Sequence, residues 1–75
     1  MGKPPTLKIT NILLELRKEK GITQEQAAQA VGVTRVTMNY VENGIYLPSL
    51  DLAFKISRFF NLQIEEIFHV EGESL

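Results

Sequence analysis

No cysteine occurs among the 75 residues of the chain. Its absence removes disulfides, zinc fingers and iron–sulfur clusters together. It also fits a reducing cytosol, and the cytoplasm is the expected compartment. Histidine is almost as scarce. His69 stands alone, with no second histidine or cysteine at a metal-ligand spacing, so no metal site is expected. No apolar run approaches the roughly 20 residues that a bilayer-spanning helix requires. The N-terminal MGKPPT is not followed by the apolar stretch of a secretory signal. No membrane partner is therefore expected. Ser49, Ser57 and Ser74 have no base placed beside them by sequence logic, and the acidic residues form no recognisable acid–base constellation. The expectation is a non-enzyme without catalytic residues, cofactor or small-molecule ligand.

The net charge is also small, at −1. Read alone, that argues mildly against a nucleic-acid partner. The distribution is uneven, however. Residues 1–35 carry Lys3, Lys8, Arg17, Lys18, Lys20 and Arg35 against Glu15, Glu19 and Glu25, a balance of +3. Residues 36–75 carry Lys55 and Arg58 against Glu42, Asp51, Glu65, Glu66, Glu71 and Glu73, a balance of −4. A locally basic surface on a weakly acidic protein fits this pattern. A mixed solvated surface fits it equally well.

What the chain does have is a dense set of helix punctuation. Thr23 suits an N-cap, and Gln26 three residues on completes a capping box. Gly32 falls where that helix must stop and turn, in a left-handed conformation that costs glycine little. Thr34 suits the next N-cap. Ala27, Ala28, Val31, Val33, Met38 and Val41 are then placed to fill the angle between two helices. This is the spacing of a helix-turn-helix, a DNA-reading motif.

The flanking residues extend the pattern. TLKIT (6–10) alternates apolar and polar residues and reads as a short strand. A helix follows from about Asn11 to Lys20, with Thr10 as its cap and Ile9 and Leu14 as a hydrophobic staple. Gly21 ends it. Pro48 stops any continuation of the third helix, and Ser49 caps a fourth. Leu52, Ala53, Ile56, Phe59 and Phe60 give that helix its apolar face. Asn61 suits its end. A last helix runs from Ile64 to Phe68, and FHVE (68–71) alternates again. A chain this short buries only about 60% of its unfolded surface, so one small core is expected. The domain is expected over residues 10–70. Residues 1–9 form an extension, disordered at 1–5 and strand-like after that, and 71–75 form a tail.

Laid out at 100° per residue, the third helix turns Thr37, Met38 and Val41 inward and Arg35, Val36, Asn39, Tyr40 and Asn43 outward. Arg35 can reach guanine O6 and N7, a contact that discriminates by about 1–3 kcal/mol. Asn39 can pair with adenine, and Val36 can rest on a thymine methyl. Tyr40 can touch a base edge or a phosphate. Gln24 opens the second helix, where free backbone amides point outward and favour an anion such as a DNA phosphate. Glu42 lies at the border of the buried face, and Arg17 is its most plausible partner. The bland alternative for all of these is an ordinary solvated helix face.

On these residues the chain resembles the lambda-repressor-like (Cro-like, xenobiotic-response-element) family of helix-turn-helix regulators, in particular its small stand-alone members. The carrying motifs are LRKEKGITQEQAA, VGVTRVTMNYVENG and LPSLDLAFKISRFFNLQIEEIF, which span about Asn11 to Phe68. The resemblance implies an all-α, five-helix fold, with room for short terminal strands. It implies a sequence-specific transcriptional regulator bound to double-stranded DNA, usually dimeric. A repressor is expected. It places Gln24 and Asn43 at phosphates and Arg35, Val36 and Tyr40 at base edges, and it implies the Arg17–Glu42 pair. The chain departs from the family at Ala27, Val36, Tyr40 and Gln63. The rival expectation is a protein-interaction module, antitoxin-like, that uses the same face. A homodimer is expected from the apolar surplus of the C-terminal part, carried by Phe54, Phe59, Phe60, Ile64, Ile67, Phe68 and Val70. In that reading FHVE or TLKIT can also pair across the two-fold axis.

Overall fold

The computed structural model describes residues 6–74. The disorder expected of residues 1–5 lies outside them, as does the last residue of the expected tail. In order the chain forms β1 (Thr6–Asn11), α1 (Leu13–Lys20), α2 (Gln24–Val31), α3 (Arg35–Glu42), α4 (Leu50–Phe60), α5 (Ile64–Ile67) and β2 (Phe68–Ser74). The fold is mostly helical, five helices closed by a two-stranded antiparallel sheet.

Local chemistry sets the ends of these helices. The Thr23 hydroxyl accepts from the Gln26 amide at 3.1 Å, and the Gln26 side chain accepts from the Thr23 amide at 2.8 Å. Thr34 and Ser49 cap α3 and α4 by accepting from the amides of Thr37 and Leu52. Each such cap satisfies a donor that the helix itself leaves free, at roughly 1 kcal/mol. Gly32 closes α2 at φ +77°. A Cβ there would meet nothing within 4 Å, so the position favours glycine for its backbone angle, not for space. The Gln63 backbone amide donates to the Glu66 carboxylate at 2.8 Å, the reciprocal bond of a capping box at the start of α5.

The start of α1 differs from the sequence expectation. The helix begins at Leu13, and Thr10 does not cap it. The Asn11 side chain accepts from the Leu13 amide at 3.0 Å, while the Thr10 hydroxyl donates to Glu71 across the sheet. Leu14 is exposed, so it staples nothing. Thr10 is taken by strand pairing, and the capping duty passes one residue along.

The strands TLKIT and FHVE pair with each other inside one chain. Ile9 faces Val70, Thr10 faces His69 and Asn11 faces Phe68. The register steps between Lys8 and Ile9, which leaves Glu71 as the extra residue of a bulge. The ends expected as extension and tail are therefore paired, and the Ile12 amide, donating to the Ile67 carbonyl, ties the sheet to the helices.

The core is Leu13, Ala27, Ala28, Val31, Met38, Val41, Leu52, Ile56 and Ile67, with Val33, Phe59, Phe60, Leu62 and Phe68 packed around it. Thr37, expected inside, is only half-buried and receives a hydrogen bond from the Thr34 hydroxyl at the cap. The apolar surplus also lies elsewhere than expected. Ile67 is fully buried and Phe59, Phe60 and Phe68 pack on the core, while Phe54 and Val70 remain exposed together with Ile45, Leu47 and Leu50.

Ile56 shows no exposed surface and sits at the centre of this small core. Ile56→Ala is expected to destabilise the fold by about 2–5 kcal/mol. A domain of this size holds roughly 5–15 kcal/mol in all. Leu14→Ala, on the exposed side of α1, should change stability by less than about 0.5 kcal/mol. Urea titrations of both variants check the contrast, and equal midpoint shifts would contradict the core assignment.

Candidate nucleic-acid interface

An ion pair ties the second helix of the motif, α3, to α1. Arg17, near the end of α1, donates through Nε to Glu42 Oε2 at 2.7 Å and through Nη2 to Glu42 Oε1 at 3.2 Å. Its third nitrogen, Nη1, donates to the Ile22 carbonyl at 3.0 Å. The two side chains are 13% and 4% exposed. A planar guanidinium is used here on both edges: one against the last residue of α3, the other against the turn that leads into α2. No sequence-local rule brings residues 17, 22 and 42 together; the fold does.

Gln24 extends the network. Its Nε2 donates to Glu42 Oε1 at 3.1 Å, and its Oε1 accepts from Asn39 Nδ2 at 3.5 Å. The Gln24 side chain thus lies between α2 and α3. Sequence reasoning pointed it outward at a phosphate and missed this inward role. The only sequence signal was that Gln24 opens one helix and Glu42 closes the next. One Nε2 hydrogen remains for an outside acceptor, beside the backbone amides at the α2 N-terminus.

Asn39 is half-buried and held against Gln24, so it is less free than its three outward neighbours. Arg35, Val36 and Tyr40 project from α3 and are exposed, Val36 at 50% and Tyr40 at 46%. The Arg35 guanidinium has no partner among the described side-chain hydrogen bonds or ion pairs. Asn43 is exposed at the C-terminal end, where its Nδ2 donates to the Asn39 carbonyl at 2.8 Å and Gly44 follows at φ +72°. Among the described residues no buried side-chain polar atom is left without a partner. The surface is therefore a firmly braced helix that offers a cation, a valine and a phenol, with amides at both ends of the motif.

Asn11 is a residue of the site's scaffold that sequence reasoning had treated only as a helix start. Its Nδ2 donates to the Val41 carbonyl at 2.9 Å, which fastens β1 to the last turn of α3. No group of His, Asp or Glu among the described residues is arranged to hold a metal ion. No described helix is long and apolar enough to cross a membrane.

This architecture is that of a helix-turn-helix protein, and residues 13–67 match the family described as Helix-turn-helix. The chain belongs to that family, in its lambda-repressor-like branch. It is 49% identical over 61 residues to an uncharacterized HTH-type transcriptional regulator of Archaeoglobus fulgidus, covering 81% of this chain and 87% of the relative. It is 44% identical over 64 residues to the uncharacterized HTH-type transcriptional regulator YgzD of Bacillus subtilis, covering 85% and 97%. A crystal structure of a candidate DNA-binding protein from Bacteroides fragilis superposes with a TM-score of 0.72 at 21% identity, over 81% of this chain and 98% of the other, a likeness of fold.

Glu42→Ala is expected to destabilise the protein by about 3–5 kcal/mol. It leaves a largely buried guanidinium unpaired and frees Gln24 at the same time. Glu42→Gln keeps one carbonyl acceptor but turns an NH2 toward donors, so it should also destabilise, by less than the alanine because the space stays filled. Denaturant midpoints with unchanged m-values check this; a midpoint equal to wild type would mean that Glu42 is a solvated cap residue.

Proposed function

We propose that the chain is a sequence-specific DNA-binding regulator of transcription that reads the major groove with α3 and acts as a repressor in the cytoplasm, as a homodimer. The observation that carries this reading is the exposed Arg35–Val36–Tyr40 face on a helix braced by Arg17, Gln24 and Glu42. A solvated face needs no such bracing. A reading face does, because a bidentate contact to a base edge is lost when its helix shifts by an ångström. The kinship with proteins named as HTH-type transcriptional regulators supports the same reading.

In this reading the roles divide by chemistry. Arg35 donates to guanine, Val36 meets a thymine methyl, and Tyr40 lies along the base edges. Asn39 contributes through its oxygen and remaining amide hydrogen, since its other hydrogen is held by Gln24. Gln24 and Asn43 contact phosphates at the two ends of the motif and fix its register, with the α2 amides as additional donors. One such helix reads too few base pairs to select a site in a genome. A two-fold dimer presents two, about 34–36 Å apart. The exposed Val36 and Tyr40 also suit a protein partner, the antitoxin-like alternative. Duplex DNA separates the two, since a face that binds only protein selects no sequence from a duplex pool.

Selection from a random duplex pool should recover a pseudo-palindrome. On a panel of its single-base variants, Arg35→Ala should erase preference at one position per half-site, at about 1–3 kcal/mol. Gln24→Ala should weaken binding to every member alike. Uniform losses for both variants would defeat this division of labour, and a pool that yields no preferred sequence would defeat the reading as a whole.

A further inference from the structure

The last turn of α3 leaves carbonyls that the helix itself does not satisfy. The Asn39 carbonyl accepts from the Asn43 amide at 3.0 Å and from Asn43 Nδ2 at 2.8 Å. The Tyr40 carbonyl accepts from the amides of Ile45 at 2.9 Å and Tyr46 at 3.2 Å. The Val41 carbonyl accepts from the Gly44 amide at 3.1 Å and from Asn11 Nδ2 at 2.9 Å. All of these donors follow α3 directly in the chain, except Asn11. Among the described hydrogen bonds, Asn11 is thus the one donor from another element that reaches the backbone of α3 at this end.

Asn11 is itself held on both sides. Its Oδ1 accepts from the Leu13 amide at 3.0 Å, and its backbone stands opposite Phe68 in the sheet. The next amide, that of Ile12, donates to the Ile67 carbonyl at 3.1 Å. These partners also set the orientation of the side-chain amide. A backbone N–H only donates and a carbonyl only accepts, so the oxygen faces Leu13 and the nitrogen faces Val41. One half-buried asparagine therefore joins the start of α1 to the end of α3. The other ties to α3, from Arg17 and Gln24, run through the Glu42 and Asn39 side chains, which turn about their own torsions. The tie from Asn11 ends on a backbone atom, so it restrains the helix itself.

We propose that Asn11 is a positioning residue for base selection: through the Val41 carbonyl it sets where the C-terminal half of α3, with Asn39 and Tyr40, lies against a DNA duplex. The inference rests on the DNA-reading role proposed above and adds to it a residue outside the helix-turn-helix that acts without touching DNA. Val41 adjoins Tyr40, whereas Arg35 stands at the opposite end of α3, next to the Thr34 cap. Phosphate contacts carry no sequence information, and base contacts depend on the exact placement of a side chain in the groove. Loss of the Asn11 tie therefore lowers selectivity and spares sequence-independent binding, and it lowers selectivity first at the Tyr40 end.

Asn11→Ser tests the proposal. Serine is neutral and caps a helix about as well as asparagine, but it is too short to reach Val41. Relative to random-sequence duplex, preference for the selected site should fall at least about fivefold, the lower end of what one base contact discriminates. Binding to random duplex and helical circular dichroism should stay as in wild type. On the panel of single-base variants, the loss should fall at positions other than the one mapped by Arg35→Ala. Amide hydrogen exchange should quicken at Gly44, Ile45 and Tyr46 and keep its rate at Ile56. An unchanged preference, an equal loss on selected and random duplex, or a uniform rise in exchange overturns the proposal. Should Asn11→Ser fail to fold, Asn11→Thr takes its place, since its branched side chain suits a strand end and still caps. Collapse of both variants makes Asn11 a residue of general stability and overturns the proposal as well. A wild type that prefers no sequence refutes the DNA reading, and the exchange rates then decide by themselves whether Asn11 places α3.

Discussion

One bidentate ion pair, Arg17 to Glu42, is the constraint on which the reading surface depends. It joins the end of α1 to the end of α3, and the same guanidinium holds the Ile22 carbonyl at the entry to α2. Three of the five helices are thus referred to one planar group. A buried ion pair is weak evidence for stability, because desolvation of both charges offsets much of their attraction. Its value here is positional. An apolar substitute could fill the space, but it would not fix the rotation of α3 about its own axis, and that rotation decides which side chains face outward. The core does not do this by itself: Met38 and Val41 bury one stripe of α3 and leave its angle to the precision of van der Waals contact.

Much of the frame was legible because it rests on short-range chemistry. The capping box at Thr23, the caps at Thr34 and Ser49, and the left-handed Gly32 are decided within four residues of themselves, and each stands where the sequence put it. The buried stripe Ala27, Ala28, Val31, Met38 and Val41 follows from helical period alone. The start of α1 was not legible, because Thr10 and Asn11 compete for one cap, and the winner is chosen by a strand partner some sixty residues away. The sheet shows the same limit. Alternation marked both strands, but nothing local says whether two such strands pair within a chain or between chains.

The candidate site divides along the same line. The outward set Arg35, Val36 and Tyr40 follows from the helical wheel once the buried stripe is known. The inward turn of Gln24 does not, since it depends on where the Glu42 carboxylate lies after Arg17 has claimed it. One consequence is that Gln24 spends one Nε2 hydrogen on holding the motif and keeps the other free. Asn39 is bonded to it in turn, so side chains join α2 to the middle of α3.

The electrostatics of the surface are therefore local. Of the cations in the N-terminal half, Arg17 is neutralised by Glu42 and contributes structure in place of field. Arg35 is the sole cation on α3. The remaining donors at the two ends of the motif are amides, of Gln24, Asn43 and the first turn of α2, which orient a phosphate without adding a full charge to it. A net charge of −1 is compatible with such a surface, because neutral donors do not require a basic protein. The arrangement also shifts the burden of affinity. On the proposed reading, a half-site held by one arginine and a few dipoles binds weakly, and a homodimer that engages two half-sites would supply the rest of the affinity.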